Sequence, residues 1–188
     1  MILTERQEKL LQFVKEQHGE QVRKYTNEPY WTHLVSVAEI VSKYEPDGIE
    51  IALCHDLFED TNCNEHHLLV HLQKMGYSFS ERNIICKGVV DLTDVYTHEK
   101  YPSSNRNDRK RMEAERLGAI SKLPQSVKYA DLIDNTASIV KYDKGFAVKY
   151  LQEKIRVLDK MRNGNINLLI DCCHTLKNAL NEMHPLLN

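Results

Sequence analysis

The chain has 188 residues, 41% of them apolar and 28% charged, with a formal net charge of −2. That length holds one domain with a sizeable core, and the charge balance gives no basic field that would make nucleic acid the expected partner. No apolar run reaches bilayer length, no signal-peptide pattern opens the chain, and five scattered cysteines (Cys54, Cys63, Cys86, Cys172, Cys173) form no C-x-x-C pair, so the expected setting is a reducing cytoplasm.

Thr4 is the expected cap of a first helix that carries Leu10, Leu11, Phe13 and Val14 inward and runs to about His18 and Gly19. A polar connection from Gln21 to Glu28 ends at Pro29, and Tyr30 to Tyr44 again has helical spacing, with His33 in its first turn. Pro46-Asp47-Gly48 reads as a turn, with Asp47 the expected cap of the next helix. That helix carries Ile49, Ile51, Ala52, Leu53 and Cys54 and ends in His55-Asp56-Leu57-Phe58-Glu59-Asp60-Thr61. A further helix holds Leu68, Leu69, Leu72 and Met75. Ser80 is the expected cap of the one after it, with Ile84, Ile85, Val89, Val90 and Leu92 as its apolar set and Glu81 in its first turn.

Thr93 to Asn105 is the one long irregular stretch, and loops of that length tend to be functional or mobile. A charged helix follows from Asp108 to about Lys122. The next starts at Pro124 and carries Val127, Ala130, Leu132, Ile133 and Ile139. Phe146 to Met161 and Ile166 to Met183 close the chain. No internal repeat and no convincing strand alternation are present. The predicted class is all-α, a single domain of eight or nine helices.

Within His55-Asp56-Leu57-Phe58-Glu59-Asp60, an uninterrupted helix would stack His55 with Glu59 and Asp56 with Asp60, one turn apart. One imidazole and three carboxylates on a single arc need a metal cation, basic partners or open water, because burying unpaired charge is costly. His33, His55, Asp56 and Asp131 are the candidate ligands. They offer imidazole and carboxylate, the donor set of a divalent transition metal; without thiolates, a closed structural zinc site is not expected. Asp131 also reads as a hydrogen-bond acceptor in helix packing, and Glu59 and Asp60 as surface charge or a helix-end ion pair. Arg106, Arg109, Lys110 and Arg111 read as the wet face of a helix, with Arg111 paired to Glu115, or as contacts for an anionic ligand. His66, His67, His71, His98, His174 and His184 have no ligand-like neighbours in sequence and read as surface or packing residues.

The order His, then His-Asp, then a distant Asp resembles the HD superfamily of metal-dependent phosphohydrolases, which is all-helical. More specifically, Arg23-Lys24, Glu28-Pro29-Tyr30 and His33 come first in a run of shared motifs. Ala52-Leu53-Cys54-His55-Asp56, Glu59-Asp60-Thr61, Leu92-Thr93 and Lys128-Tyr129-Ala130-Asp131 with Asn135 then complete it. The run resembles the RelA/SpoT-type hydrolase domain over residues 21–161, with residues 162–188 as a C-terminal helix. The resemblance implies an Mn²⁺-dependent hydrolase that removes the 3′-pyrophosphate from guanosine tetra- and pentaphosphate, in the form of a stand-alone small alarmone hydrolase. It implies His33, His55, Asp56 and Asp131 as metal ligands and Glu59 and Asp60 as the catalytic pair acting on water. It also implies Arg23 and Lys24 at the base, Asn135 at the ribose and Tyr150 lining the pocket. The expected partner is a small nucleotide, with no membrane and no nucleic acid. Leu34 stands where that family has proline, and Tyr96 to Asn105 matches none of its segments. These departures leave open a different phosphorylated nucleotide (an adenosine alarmone, a pyrophosphorylated RNA end or a 2′-phosphorylated dinucleotide), or a nucleotide-binding module without turnover.

Overall fold

The structure, a computed structural model, describes residues 1–183. His184 therefore lies outside the described residues, as does the end of the expected C-terminal segment. The described residues are all helical, as expected, with ten α-helices and one 3-10 turn; their one β feature is an isolated bridge between Val22 and Pro29. They divide into two compact units, the first ending at Thr93 and the second beginning at Asp94.

The first unit holds α1 (Glu5–His18), α2 (Trp31–Ser42), the 3-10 turn Pro46–Gly48, α3 (Ile49–Cys54), α4 (Leu57–Asp60), α5 (Glu65–Lys74) and α6 (Phe79–Leu92). Its centre is α3, where every residue except Glu50 is buried. A helix apolar on all sides has to be wrapped by others, and α3 packs against α1, α2 and α6. Gly88 lets α6 come close: a Cβ there would lie 2.4 Å from Ile51 Cδ1. Glu50 points at the rim, accepting from Gln7 Nε2 at 3.0 Å and the Tyr77 hydroxyl at 3.3 Å.

Thr4 caps α1 as expected, in a reciprocal box with Gln7. Two expected caps move. Ser78, not Ser80, opens α6, because Glu81 lies three residues beyond Ser78 and can return the hydrogen bond to its backbone. Asp47 sits inside the 3-10 turn and caps nothing; Gly48 is the residue before α3. Ile84 and Val90 of α6, and Ile155 further on, counted from sequence in apolar sets, are exposed. The polar connection 21–30 closes on itself. Arg23 N donates to Glu28 O at 2.8 Å, Tyr30 N to Gln21 O at 2.8 Å, and Asn27 turns the chain with φ of 56°.

The second unit holds α7 (Arg106–Ala119), α8 (Lys122–Tyr142), α9 (Lys144–Lys160) and α10 (Ile166–Met183). Asn105 caps α7, accepting from Asp108 N at 3.0 Å. Pro124 stands in the first turn of α8, where no intrahelical donor is lost. Buried Gln125 ties the connections together: its Nε2 donates to the carbonyls of Leu117, Gly118 and Ile120, and its Oε1 accepts from Asn163 N and Gly164 N. Gly164 is obligatory at that joint, since a Cβ would lie 2.3 Å from the Tyr129 ring. The irregular stretch is pinned by buried Glu113, whose Oε2 accepts from Val95 N and Tyr96 N, both at 3.1 Å. Among the described residues no helix is long and apolar enough to cross a membrane.

Candidate metal centre

The expected continuous helix through the acidic cluster is broken. α3 ends at Cys54 and α4 starts at Leu57, with Asp56 between them at φ −99° and ψ 1°. The Asp60 N to Asp56 O bond, at 3.0 Å, keeps the turn closed while the axis resets. The break places His55 and Asp56 at the end of the mostly buried helix α3, and Glu59 and Asp60 on an exposed turn beyond it. So the four groups divide by burial rather than sharing one arc.

The His55 ring is buried, and its Nδ1 lies 2.8 Å from the Ala52 carbonyl. A carbonyl only accepts, so Nδ1 carries a proton and Nε2 is the atom with the usable lone pair. That Nε2 is 3.1 Å from Asp56 Oδ2. Two electron-rich atoms this close are held by a shared proton or by a cation. His33, buried in the first turn of α2, brings its own Nε2 to 3.7 Å of the same oxygen, with the two imidazole rings 5.2 Å apart and edge to face. The Tyr30 hydroxyl donates to Asp56 Oδ2 at 2.6 Å. Three side chains from two segments thus converge on one carboxylate oxygen. Tyr30, quoted from sequence only within the motif run, is the residue that the motifs left without a role at the site.

Beyond this group, Gln21 Nε2 donates to Asp60 Oδ2 at 3.2 Å. Arg23 is half-buried and Lys24 exposed on the 21–30 loop, with Lys24 Nζ 4.8 Å above the Tyr25 ring.

In the second unit, Asp131 is buried on α8. Lys128 Nζ lies 2.8 Å from its Oδ2, and Asn135 Nδ2 donates to its Oδ1 at 2.5 Å. Asp131 therefore has the helix-packing partners that its burial demands, and Asn135, expected at a ribose, spends its amide N–H on this acid. Tyr150 is buried on α9; burial first, then the Asp131 charge, holds its phenol far above the ordinary range. Lys154, one turn on, is pushed down to about 8, first by burial and then by the charge of Lys128. Of the basic run on α7, Arg106 forms a two-pronged bond to Glu153 at 2.7 and 2.9 Å, and Lys110 pairs with Asp94 at 3.1 Å. The expected Arg111–Glu115 pair does not form: Arg111 faces Asp108, and Glu115 is taken by Lys160 at 2.9 Å.

The class that the fold defines, over the described residues, is all-helical. A solved structure of a metazoan ortholog of SpoT, which hydrolyses ppGpp and plays a role in starvation responses, shares this fold at a TM-score of 0.74, with 22% identity over 95% of this chain and 97% of that one. No protein-family model and no curated protein matches the chain.

Proposed function

We propose that the chain is a divalent-metal-dependent phosphohydrolase of the cytoplasm, and specifically an Mn²⁺-dependent 3′-pyrophosphohydrolase. Its substrates on this reading are guanosine 3′,5′-bis(diphosphate), ppGpp, and the pentaphosphate pppGpp, and its products are GDP or GTP and pyrophosphate. The observation that carries it is the meeting of His33, His55 and Tyr30 on one oxygen of Asp56. The run of motifs from Arg23 to Asn135 and the shared fold support it.

The residues fit a metal. His33, His55 and Asp131 are buried donors of the kind that hold such an ion, and Asp56 adds a carboxylate already lined up with two imidazoles. Asp131 enters the ligand set through its place in the motif. Imidazole with carboxylate and no thiolate suits Mn²⁺, Fe²⁺ or Zn²⁺. Once bound, such an ion lowers the pKa of water and neutralises charge developing on the phosphoryl group.

The chain's own groups do the rest. Hydrolysis breaks the bond between the 3′ oxygen and its phosphorus, so water must lose a proton and the 3′ oxygen must gain one. Glu59 and Asp60, exposed on the turn after Asp56, are the carboxylates that on this reading take the proton from water. Arg23 offers a planar guanidinium to the base and Lys24 a point charge. Asn135, its N–H given to Asp131, presents its amide oxygen to a ribose hydroxyl, and the Tyr150 ring forms a wall.

The test is anion-exchange chromatography of ppGpp incubated with protein and Mn²⁺, with and without chelator. Chelator-sensitive release of GDP and pyrophosphate is the expected result. Bound metal without turnover of ppGpp sinks the alarmone; a panel of adenosine alarmones, 2′-phosphorylated dinucleotides and pyrophosphorylated RNA ends then identifies the substrate, and silence across it leaves a binding module.

A further inference from the structure

Asp60 is exposed, yet it is held. Gln21 Nε2 reaches its Oδ2 at 3.2 Å, and the other end of the same amide, Oε1, lies 2.7 Å from His18 Nδ1. The direction of this relay is set by its outer end. An ionised carboxylate only accepts, so the amide NH₂ must face Asp60, its oxygen must face His18, and His18 must carry a proton on Nδ1.

His18 is the last residue of α1 and is only 6% exposed. A buried imidazole at a helix end calls for a reason, since buried polar groups are normally matched. Its ring stacks on Tyr30 with centroids 5.0 Å apart, and Tyr30 is the donor to Asp56. The backbone binds the same three residues independently of their side chains: Gln21 N donates to His18 O at 3.0 Å, and Tyr30 N to Gln21 O at 2.8 Å. One buried ring therefore touches both acids of the α4 turn, Asp60 through an amide and Asp56 through a phenol.

We propose that His18 and Gln21 are positioning residues for the hydrolytic carboxylate: His18 Nδ1–H fixes the Gln21 amide, and the Gln21 N–H fixes Asp60, with neither side chain touching substrate. The proposal rests on the phosphohydrolase reading above and adds to it which of two adjacent carboxylates is immobilised, and by what. An exposed aspartate samples several rotamers; one hydrogen bond from a neutral donor to a charged acceptor is enough to select among them.

The experiment is steady-state hydrolysis of ppGpp at saturating Mn²⁺ by the full chain, comparing wild type with Gln21→Ala, His18→Ala, His18→Asn and the double alanine variant. Mn²⁺ binding and thermal melts are recorded for each. Gln21→Ala, on a half-exposed loop, is the variant that folds regardless. It is expected to lower kcat about 10- to 100-fold, the worth of one hydrogen bond to a charged group, with KM and Mn²⁺ affinity unchanged. His18→Asn keeps an N–H near the Nδ1 position and is expected to stay within roughly threefold of wild type, a loss well short of one charged-group bond. The double alanine variant should fall no further than Gln21→Ala alone, because the two residues act in series. Wild-type kcat in Gln21→Ala, or losses that multiply in the double variant, overturns this role alone. Wild-type protein that leaves ppGpp intact while holding Mn²⁺ overturns both this role and the activity on which it rests.

Discussion

Two acids of this chain are answered in opposite ways. Asp131, in the second unit, is compensated along its own helix, by Lys128 three residues before it and Asn135 four residues after. Asp56, in the first unit, is met by the Tyr30 phenol and the His33 imidazole from an earlier segment and by the imidazole of its neighbour His55, with 17% of its side chain exposed. A lysine cancels a charge outright. The Tyr30 phenol and the two imidazoles instead orient the Asp56 carboxylate through one oxygen, Oδ2. The comparison teaches that burial of an acid says little about its task until the partners are named: Asp131 is matched along α8, and Asp56 by a phenol and two imidazoles at the α3–α4 turn.

The sharpest way to break the comparison is Asp56→Asn. If Asp56 is the centre of a metal site, this change removes activity by roughly a thousandfold or more, several kcal/mol of transition-state stabilisation, and Mn²⁺ binding by calorimetry falls with it. Glu59→Gln separates chemistry from metal: kcat is expected to drop by about 10²- to 10⁴-fold while Mn²⁺ binds as before, and unchanged activity would refute the role given to Glu59. Lys128→Met tests the other acid. Leaving Asp131 buried beside a missing cation is expected to cost about 3–5 kcal/mol of stability, read by urea denaturation, whereas Tyr30→Phe should melt close to wild type and weaken Mn²⁺ binding about 10- to 100-fold.

The smallest effect concerns pH and the Asp94–Lys110 pair. Burial alone would raise the Asp94 carboxyl, but Lys110, and then Lys128, more than offset it and hold it below its ordinary value. The folded pKa is thus lower than the unfolded one. The pair adds stability that is fully present above the unfolded value, about 3.9, and is lost as pH falls through the lower folded value. Lys110→Met should therefore melt about 2–4 °C below wild type at pH 7, with the gap closing below about pH 4. A gap that persists in acid would place the effect in packing of the lysine stem instead.

The helices were legible because their apolar residues repeat with the helical period, and the all-α class followed from that alone. What the sequence concealed is non-local. Nothing in Asp56-Leu57-Phe58-Glu59 marks a break, since each residue is acceptable within a helix; the turn exists where Asp56 meets Tyr30 and His33, two elements away in sequence. The Glu115–Lys160 pair displaces Glu115–Arg111 for the same reason, a long-range partner winning over a neighbour one turn off. Ser78 against Ser80 is different: Glu81, three residues after Ser78, was a readable signal for the earlier start. At the site, the motif order singled out His33, His55 and Asp56, which the first unit does bring together. Tyr30 stood in the motif run without a role, and the His18–Gln21 relay carried no mark, because hydrogen bonds to side chains leave no periodic trace.

Glu113 has a consequence for how this chain can be varied. By gripping two successive backbone amides, those of Val95 and Tyr96, from within α7, it anchors the irregular stretch at its root, and Asn105 anchors the far end as the cap of that same helix. The residues between them hang from two fixed posts on one helix. Arg109 of α7 adds a tie to the Ser104 carbonyl, so the exposed residues 98–100 and 102–103 are the natural place to splice in a tag, a reporter or a new recognition sequence.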